Sequence, residues 1–242
     1  MTKRSLFTAA ITFISMLSNL PISASQSAEI LEGQITFEYK YLLHLPDGYE
    51  MEGKEVYPFV LYLHGSGERG NELNKIRKHG PPKFLDERPD FPAIVVSPQC
   101  PAGERWEPLK LNSLIEKIVA TYSIDRSRIY LTGNSMGGYG TWALGSTFPD
   151  MFAAIAPICG YGNPRVIARN LKETPVWVFH GMKDPVVKIE ESLILVRALE
   201  AVDGNVKFTV YPEAEHDSWT QTYENPEFWE WLFAQVKPPS KL

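Results

Sequence analysis

The sequence contains only two cysteines and no basic run longer than a short pair. Two cysteines cannot form a disulfide framework, and neither Cys100 nor Cys159 has a second cysteine beside it, so the spacing is not that of a zinc site. The formal net charge is -5 at pH 7, which does not favour a phosphate backbone or an acidic membrane surface as a partner. We therefore expect neither a metal ion nor a nucleic-acid partner.

The N-terminus, residues 1–25, resembles a secretory signal peptide. Lys3 and Arg4 precede a mainly apolar run of residues 6–20, which small residues follow. Cleavage is expected between Ala24 and Ala28. The run is short for a membrane span and holds several Ser and Thr residues, so retention as an uncleaved anchor is the lesser alternative. We expect an exported protein, periplasmic or secreted, without stable membrane insertion.

The remaining chain, residues 26–242, is expected to form one α/β domain. Of all 242 residues 44% are apolar and 22% are charged, an ordinary globular mixture. Extended segments are predicted at Ile35 to Leu45, Phe59 to His64, Ala93 to Ser97, Ile129 to Gly133, Ala153 to Ile158, Val176 to His180 and Val206 to Tyr211. Helices are predicted at Leu111 to Tyr122, Met136 to Thr147, Glu190 to Val202 and Pro226 to Val236. This alternation indicates a mostly parallel sheet with helices on both faces, and residues 71–91 are predicted to be an irregular surface segment.

One short motif sits where a strand is expected to pass into a helix. Gly133-Asn134-Ser135-Met136-Gly137 follows the predicted strand directly and opens the predicted helix. Glycines two before and two after Ser135 permit a tight, strained turn that would lift the hydroxyl out of the sheet edge. In that context the motif predicts a nucleophilic serine; a plain Gly-Ser turn before a helix is the alternative.

A serine hydroxyl needs a base, and the base needs a carboxylate to orient it. In strand-elbow hydrolases the chain order is serine, acid, histidine. Asp184 and His216 each come just after a predicted strand in that order, so both are expected at the edge that carries Ser135. His64 and His180 violate the order as bases and are expected to be structural, while His44 and His79 have no acidic or nucleophilic context.

Hydrolysis also needs N–H donors for a tetrahedral oxyanion. The backbone N–H of Met136, the residue after the serine, is one candidate. The glycine-rich stretch Leu63 to Gly70 follows an early strand, and we nominate the N–H of Ser66 as the second. A flexible surface loop is the alternative for that stretch.

Taken together, these motifs resemble the α/β-hydrolase superfamily, specifically its small exported carboxylesterases of the phospholipase/carboxylesterase and dienelactone-hydrolase-like group, which are related to feruloyl and acetylxylan esterases. The resemblance rests on Leu63 to Gly70, Ser97 to Pro101, Gly133 to Trp142, Ala156 to Gly160, His180 to Asp184 and His216 to Trp219. It implies a triad of Ser135, Asp184 and His216 and no metal or organic cofactor. One departure is Glu215, which stands where relatives usually carry glycine and could raise the proton affinity of His216 or narrow the mouth of the site.

Four further residues lie near these motifs without a defined role. Cys100 and Cys159 either line a pocket as thiols or are bridged to each other. Trp106 and Trp219 are candidates for walls of an acyl or aromatic pocket, with core packing as the equal alternative.

These observations predict a serine carboxylesterase acting through an acyl-enzyme on short-acyl or aryl esters, including feruloyl or acetyl-sugar esters. A serine peptidase of the same fold, prolyl-oligopeptidase-like, is the closest rival, although the sequence shows no propeller to gate peptides and no long insertion to form a lid. A non-catalytic binding protein on a hydrolase scaffold is the third hypothesis. The expected partner is a small-molecule or carbohydrate-linked ester, and a monomer is the default.

Overall fold

A computed structural model describes residues 36–238 of the chain. The signal peptide predicted for residues 1–25 and its cleavage site lie outside them. Export and the division into a leader and one catalytic domain therefore stay predictions. In the part that the structure describes, no helix is both long and apolar enough to cross a lipid bilayer.

The centre of the molecule is a seven-stranded sheet. Its strands in chain order are β1 (Tyr41–His44), β2 (Tyr57–Leu63), β3 (Ile94–Pro98), β4 (Ile124–Asn134), β5 (Ala154–Ile158), β6 (Val176–Gly181) and β7 (Val206–Tyr211). They lie side by side in the order β1-β3-β2-β4-β5-β6-β7. Only β1 is antiparallel to its neighbour, and every other adjacent pair is parallel. The carboxyl ends of β2 to β7 therefore share one edge.

Helices cover both faces of this sheet. They are α1 (Pro108–Thr121), α2 (Met136–Thr147), α3 (Pro164–Asn170), α4 (Ile189–Glu200), α5 (Trp219–Glu224) and α6 (Pro226–Ala234). Buried residues of α1 to α4 pack with Phe59, Leu61 and Leu63 of β2 in one core cluster. Val60 and Tyr62 face the other way and pack with α5 and α6. Because both faces are covered, the central strands are nearly continuous apolar runs, and the fold is that of the α/β-hydrolases.

Two helices begin with the same Asn-Pro signal. The side chain of Asn163 accepts hydrogen bonds from backbone N–H groups at the start of α3, and Asn225 does the same for α6. The proline that follows each asparagine occupies a first-turn position, where its missing N–H has no intrahelical partner to lose. The sequence prediction included α6 but not α3, which has only seven residues. It also omitted the six-residue α5.

Other predicted boundaries differ from the structure. Strand β1 covers only four residues of the expected segment Ile35 to Leu45, whereas β4 begins five residues earlier than Ile129. The segment 71–91 is not simply irregular surface, because it contains three short 3-10 helices and buries Ile76, Leu85 and Phe91. Those three apolar residues are separated by charged and proline residues, so no helical or strand period marks them in the sequence.

The turn between β4 and α2 is packed directly onto β2. A Cβ atom added at Gly137 would lie 1.8 Å from the carbonyl oxygen of Leu63, which belongs to the backbone of a central strand. A side chain at position 137 must displace either α2 or the sheet, because a backbone carbonyl cannot rotate away as a side chain could.

We therefore expect Gly137→Ala to lower the free energy of unfolding by more than about 2 kcal/mol. Gly67→Ala is the matched control, because no heavy atom lies within 4 Å of the corresponding Cβ position. Urea unfolding curves measure both. Equal midpoints for Gly137→Ala and the parent would contradict the expected clash.

Candidate active site

Ser135 occupies a strained turn between β4 and α2. Its φ and ψ are 56° and -115°, a conformation that residues with a side chain rarely adopt. The backbone N–H of Ser135 donates to the carbonyl of Ile158 (2.9 Å), which anchors the turn to β5. A Cβ at Gly133 would lie 2.6 Å from the carbonyls of Gly137 and Leu63, so this turn requires the glycines that the motif supplies.

The structure brings the three predicted triad residues together. His216 follows β7, and its Nε2 lies 2.9 Å from Oγ of Ser135. Its Nδ1 lies 2.7 Å from Oδ2 of Asp184, which follows β6. An ionised carboxylate can only accept, so Nδ1 carries the hydrogen and Nε2 is free to accept from the Ser135 hydroxyl. These residues are 81 and 32 positions apart and meet only because parallel strands end at one edge.

The carboxylate of Asp184 is fully buried, and hydrogen-bond donors of the protein take the place of water around it. Its Oδ1 accepts hydrogen bonds from the backbone N–H groups of Val186 (2.8 Å) and Val187 (2.9 Å). The side chain of Asp184 has no solvent exposure, whereas that of His216 is 21% exposed. Burying a carboxylate is costly unless it is hydrogen-bonded. The backbone of the loop after β6 supplies these hydrogen bonds.

The glycine-rich stretch after β2 lies against Ser135. A Cβ placed on Gly65 would be 3.6 Å from Cβ of Ser135. Ser66 begins a short 3-10 helix and Met136 begins α2, and the first N–H groups of a helix have no intrahelical acceptor. Within residues 36–238 neither N–H donates a hydrogen bond, so both nominated donors are available.

Trp106 is not a wall of the substrate site. The side chain is only 2% exposed, and its Nε1–H donates to the carbonyl of His64 (3.1 Å). His64 is buried beside it, with Nε2 accepting from the N–H of Cys100 (3.0 Å) and Nδ1 donating to the carbonyl of Gly65 (2.5 Å). The structural role expected of His64 matches these contacts. Through these hydrogen bonds Trp106 and His64 fix the start of the glycine-rich stretch from its buried side.

Trp219 does lie beside the predicted base. It is the first residue of α5, 8% exposed, and its ring contacts His216 edge-on at 5.2 Å between centroids. On its other side it contacts His79 at 5.3 Å, and Nε2 of His79 lies 3.9 Å from the buried carboxylate of Glu68. Sequence reasoning missed His79, because its neighbours in space are 11 and 140 positions away and no local pattern marks it.

Both cysteines are free thiols buried in the protein, so the bridged alternative is not the one this structure adopts. Burial raises the pKa of Cys100 to about 11. Cys159, with φ of 40°, has Asp184 and His216 close enough that the three ligand atoms lie within 4.8 Å of one another. That group does not fit a metal ion well: burial raises the pKa of the Cys159 thiol far above its usual range, and Asp184 already accepts several N–H groups.

Glu215 takes no part in this hydrogen-bond network. Its side chain is exposed and makes no hydrogen bond or ion pair within the described part of the chain. Its backbone carbonyl, however, would lie 2.2 Å from a Cβ on Gly181, so the loop after β7 presses onto the end of β6. The contact between these two loops brings His216 to Asp184.

One cavity lies away from Ser135. It has a volume of about 870 Å³ and is lined by Ile115, Ile129, Phe148 and Lys237 among others. Ile115 lies on α1, Ile129 in the middle of β4, Phe148 just after α2 and Lys237 after α6, whereas Ser135 follows the carboxyl end of β4. This cavity is therefore not lined by any residue of the candidate triad.

Comparisons with known proteins agree with this fold. A family model described as phospholipase/carboxylesterase matches residues 107–226. A probable feruloyl esterase C from Aspergillus terreus is 27% identical over 165 residues, which are 62% of this chain and 57% of that protein. A bifunctional acetylxylan esterase/xylanase from Neocallimastix patriciarum is 34% identical over 143 residues, 55% of this chain and 20% of that protein. The crystal structure of a thermostable esterase superposes with a TM-score of 0.73 at 37% identity, covering 81% of this chain and 59% of that one.

The chain thus spans less than two thirds of the length of each of these proteins. The matches and the sheet topology nevertheless agree on one superfamily. The chain has the fold of the α/β-hydrolase superfamily, and its residues 107–226 match the phospholipase/carboxylesterase family.

The environment of His64 predicts a pH dependence of stability. Burial lowers the pKa of His64 from 6.5 to about 4, so the folded protein keeps the ring neutral while the unfolded chain protonates it near pH 6.5. The stability that His64 confers is therefore complete above pH 6.5 and is lost as the pH falls toward 4. We expect its share of the loss between pH 7 and pH 4.5 to be about 2–3 kcal/mol.

His64→Gln tests this, because glutamine can donate and accept but does not titrate in this range. Its unfolding free energy should fall less steeply with decreasing pH than that of the parent, and urea titrations at pH 7 and pH 4.5 measure the difference. Parallel pH curves for the two proteins would show that His64 takes up its proton equally in both states.

Proposed function

We propose that this protein is an exported serine carboxylesterase that hydrolyses short-acyl or aryl esters through an acyl-enzyme. The observation that carries the proposal is the unbroken hydrogen-bonded chain from Ser135 Oγ through His216 to Asp184. Export is inferred from Lys3, Arg4 and the apolar run of residues 6–20. Sequencing the N-terminus of the protein recovered outside the cytoplasm tests that part.

In the proposed reaction, Ser135 Oγ attacks the carbonyl carbon of the ester while His216 Nε2 takes its proton. The same nitrogen then returns the proton to the leaving alcohol, which yields the acyl-enzyme and the free alcohol. A water molecule repeats the sequence and releases the acid. Asp184 orients His216 and stabilises the imidazolium that forms twice in each cycle.

We assign the oxyanion site to the backbone N–H groups of Ser66 and Met136. Neither donor has an acceptor among residues 36–238, and both flank the turn that holds Ser135. A preorganised donor of this kind contributes about 3 kcal/mol to stabilising the tetrahedral intermediate. The strain at Ser135 keeps the hydroxyl aimed at the same point, so the attacking oxygen and the oxyanion donors need little rearrangement.

For the substrate, we propose an ester carried by a carbohydrate or an aromatic acid. The support comes from the relatives named above, which are a feruloyl esterase and an acetylxylan esterase. Trp219 offers an aromatic surface beside His216 and is the candidate contact for the acyl group or the alcohol. The rival peptidase reading rests on the fold alone, since the peptidase structures that resemble this chain are 15% and 16% identical to it.

Replacing the serine tests the mechanism. Ser135→Ala is expected to lower kcat on p-nitrophenyl acetate by at least about 10⁴-fold, because the covalent route is closed while the fold remains. Ser113→Ala on α1 is the matched control, since that hydroxyl bonds only to the carbonyl of Leu109 in its own helix. A Ser135→Ala variant as fast as the parent would refute the proposal, as would failure of a fluorophosphonate probe to label Ser135.

A substrate panel separates the remaining functions. We expect kcat/KM for p-nitrophenyl acetate, methyl ferulate or acetylated xylo-oligosaccharides to exceed that for p-nitrophenyl palmitate by at least about tenfold, because no insertion within residues 36–238 forms a lid for long acyl chains. Peptide p-nitroanilides should be cleaved far more slowly than any of the short esters. Comparable rates on esters and anilides would favour the peptidase, and no turnover of any substrate would favour a binding protein.

A further inference from the structure

A second imidazole touches the buried acid. His180 is the fifth residue of β6 and is completely buried. Its Nε2 lies 2.9 Å from the carbonyl oxygen of Val187 and 3.3 Å from Oδ2 of Asp184, the same oxygen that His216 contacts. Its Nδ1 lies 2.7 Å from Oγ of Ser192 on α4.

The contacts define the proton positions on this ring. The Val187 carbonyl can only accept, so Nε2 must carry a hydrogen. Burial lowers the pKa of His180, so the ring is neutral and Nδ1 is an acceptor. Ser192 therefore donates to Nδ1, and its other acceptor, the carbonyl of Gly160, lies further away at 3.5 Å.

The Nε2–H of His180 thus donates to the carbonyl of Val187, and Oδ2 of Asp184 lies within 3.3 Å of the same nitrogen. The carbonyl of Val187 and the carboxylate of Asp184 belong to the turn that carries the acid, and the same turn is closed by the two N–H groups donated to Oδ1. The ionisable groups that face His180 are Asp184 from this turn and His216 from the loop after β7. Oδ2 of Asp184 therefore accepts the Nδ1–H of His216 and has the Nε2 of a second imidazole, His180, 3.3 Å away.

We propose that His180 is a positioning residue for the reaction, a neutral donor that fixes the orientation and moderates the charge of the Asp184 carboxylate. The inference rests on the proposed esterase function, in which Asp184 stabilises the His216 imidazolium. Ser192 acts one step further out by holding His180 in the tautomer that donates. His180 touches no substrate in this scheme.

The role has a signature that packing alone would not give. The Nε2–H beside Oδ2 partly offsets the negative charge that this oxygen presents to His216, so its loss strengthens the attraction of Asp184 for the imidazolium and favours the protonated base. The acidic limb of the kcat/KM profile should then move to higher pH. Looser positioning of the carboxylate should lower kcat, whereas KM should change little because the substrate contacts are intact.

The test compares His180→Leu, which removes the donor, with His180→Gln, which keeps an N–H near the position of Nε2. With p-nitrophenyl acetate we expect His180→Leu to lower kcat about tenfold, to leave KM within about threefold and to raise the acidic limb by roughly half a pH unit. His180→Gln should recover kcat to within about threefold of the parent. Equal impairment of the leucine and glutamine variants, or an unshifted acidic limb in folded His180→Leu, would overturn the proposal.

Ser192→Ala provides a gentler variant in case leucine prevents folding. It keeps the imidazole and removes one oxygen, and it should lower kcat severalfold with the same direction of shift. Ser146→Ala on α2 is its control, because that buried hydroxyl bonds only to the carbonyl of Ala143 in its own helix. Parent-like kcat and an unshifted limb in Ser192→Ala would count against the proposal.

A readout that needs no turnover separates this proposal from the esterase function. The N–H proton shared by His216 and Asp184 should shift its NMR resonance in His180→Leu and Ser192→Ala but not in Ser146→Ala. If the parent is inactive but the resonance shifts, the esterase proposal is refuted and the contact between His180 and Asp184 is supported. If the parent is active but the resonance does not shift, the esterase proposal stands and the role of His180 is refuted.

Discussion

A buried negative charge organises this molecule. The carboxylate of Asp184 has no exposed surface, and a bare carboxylate in such a place would be strongly disfavoured. Its oxygens meet N–H groups from its own turn, from the end of β6 and from the loop after β7. Satisfying that charge therefore fixes the relative positions of three segments, and His216 reaches Ser135 as a consequence.

The second constraint is the close approach of backbone segments at three glycines. At Gly133, Gly137 and Gly181 an added Cβ would fall within 2.6 Å of backbone atoms in a neighbouring strand or loop. These close approaches place α2 against β2 and the loop after β7 against β6. The Ser135 turn and the His216 loop are thereby held at fixed distances from the sheet, which a hydrogen bond of 2.9 Å between them requires.

Much of the site follows from sequence because its signals are local. Ser135, Asp184 and His216 each come directly after an apolar segment, and parallel pairing brings the ends of such segments to one edge. The role of Trp106 could not be read in this way, since whether an aromatic ring faces substrate or core depends on the element that packs behind it. His79 was missed for a related reason: its contact with Trp219 joins a 3-10 segment to α5 across the fold, and neither element has a strong period.

Three histidines near the ends of strands have different roles because they differ in burial. His64 and His180 are completely buried, and burial lowers the pKa of both, so each serves as a neutral hydrogen-bonding group that braces a loop. His216 keeps a fifth of its side chain exposed and contacts the Asp184 carboxylate with one nitrogen and the Ser135 hydroxyl with the other. A base must gain and lose a proton in every cycle, which needs a partner that stabilises the cation and a route to the reacting group. Of the three rings only His216 has both, so the environment, rather than the residue type, distinguishes the base from its supports.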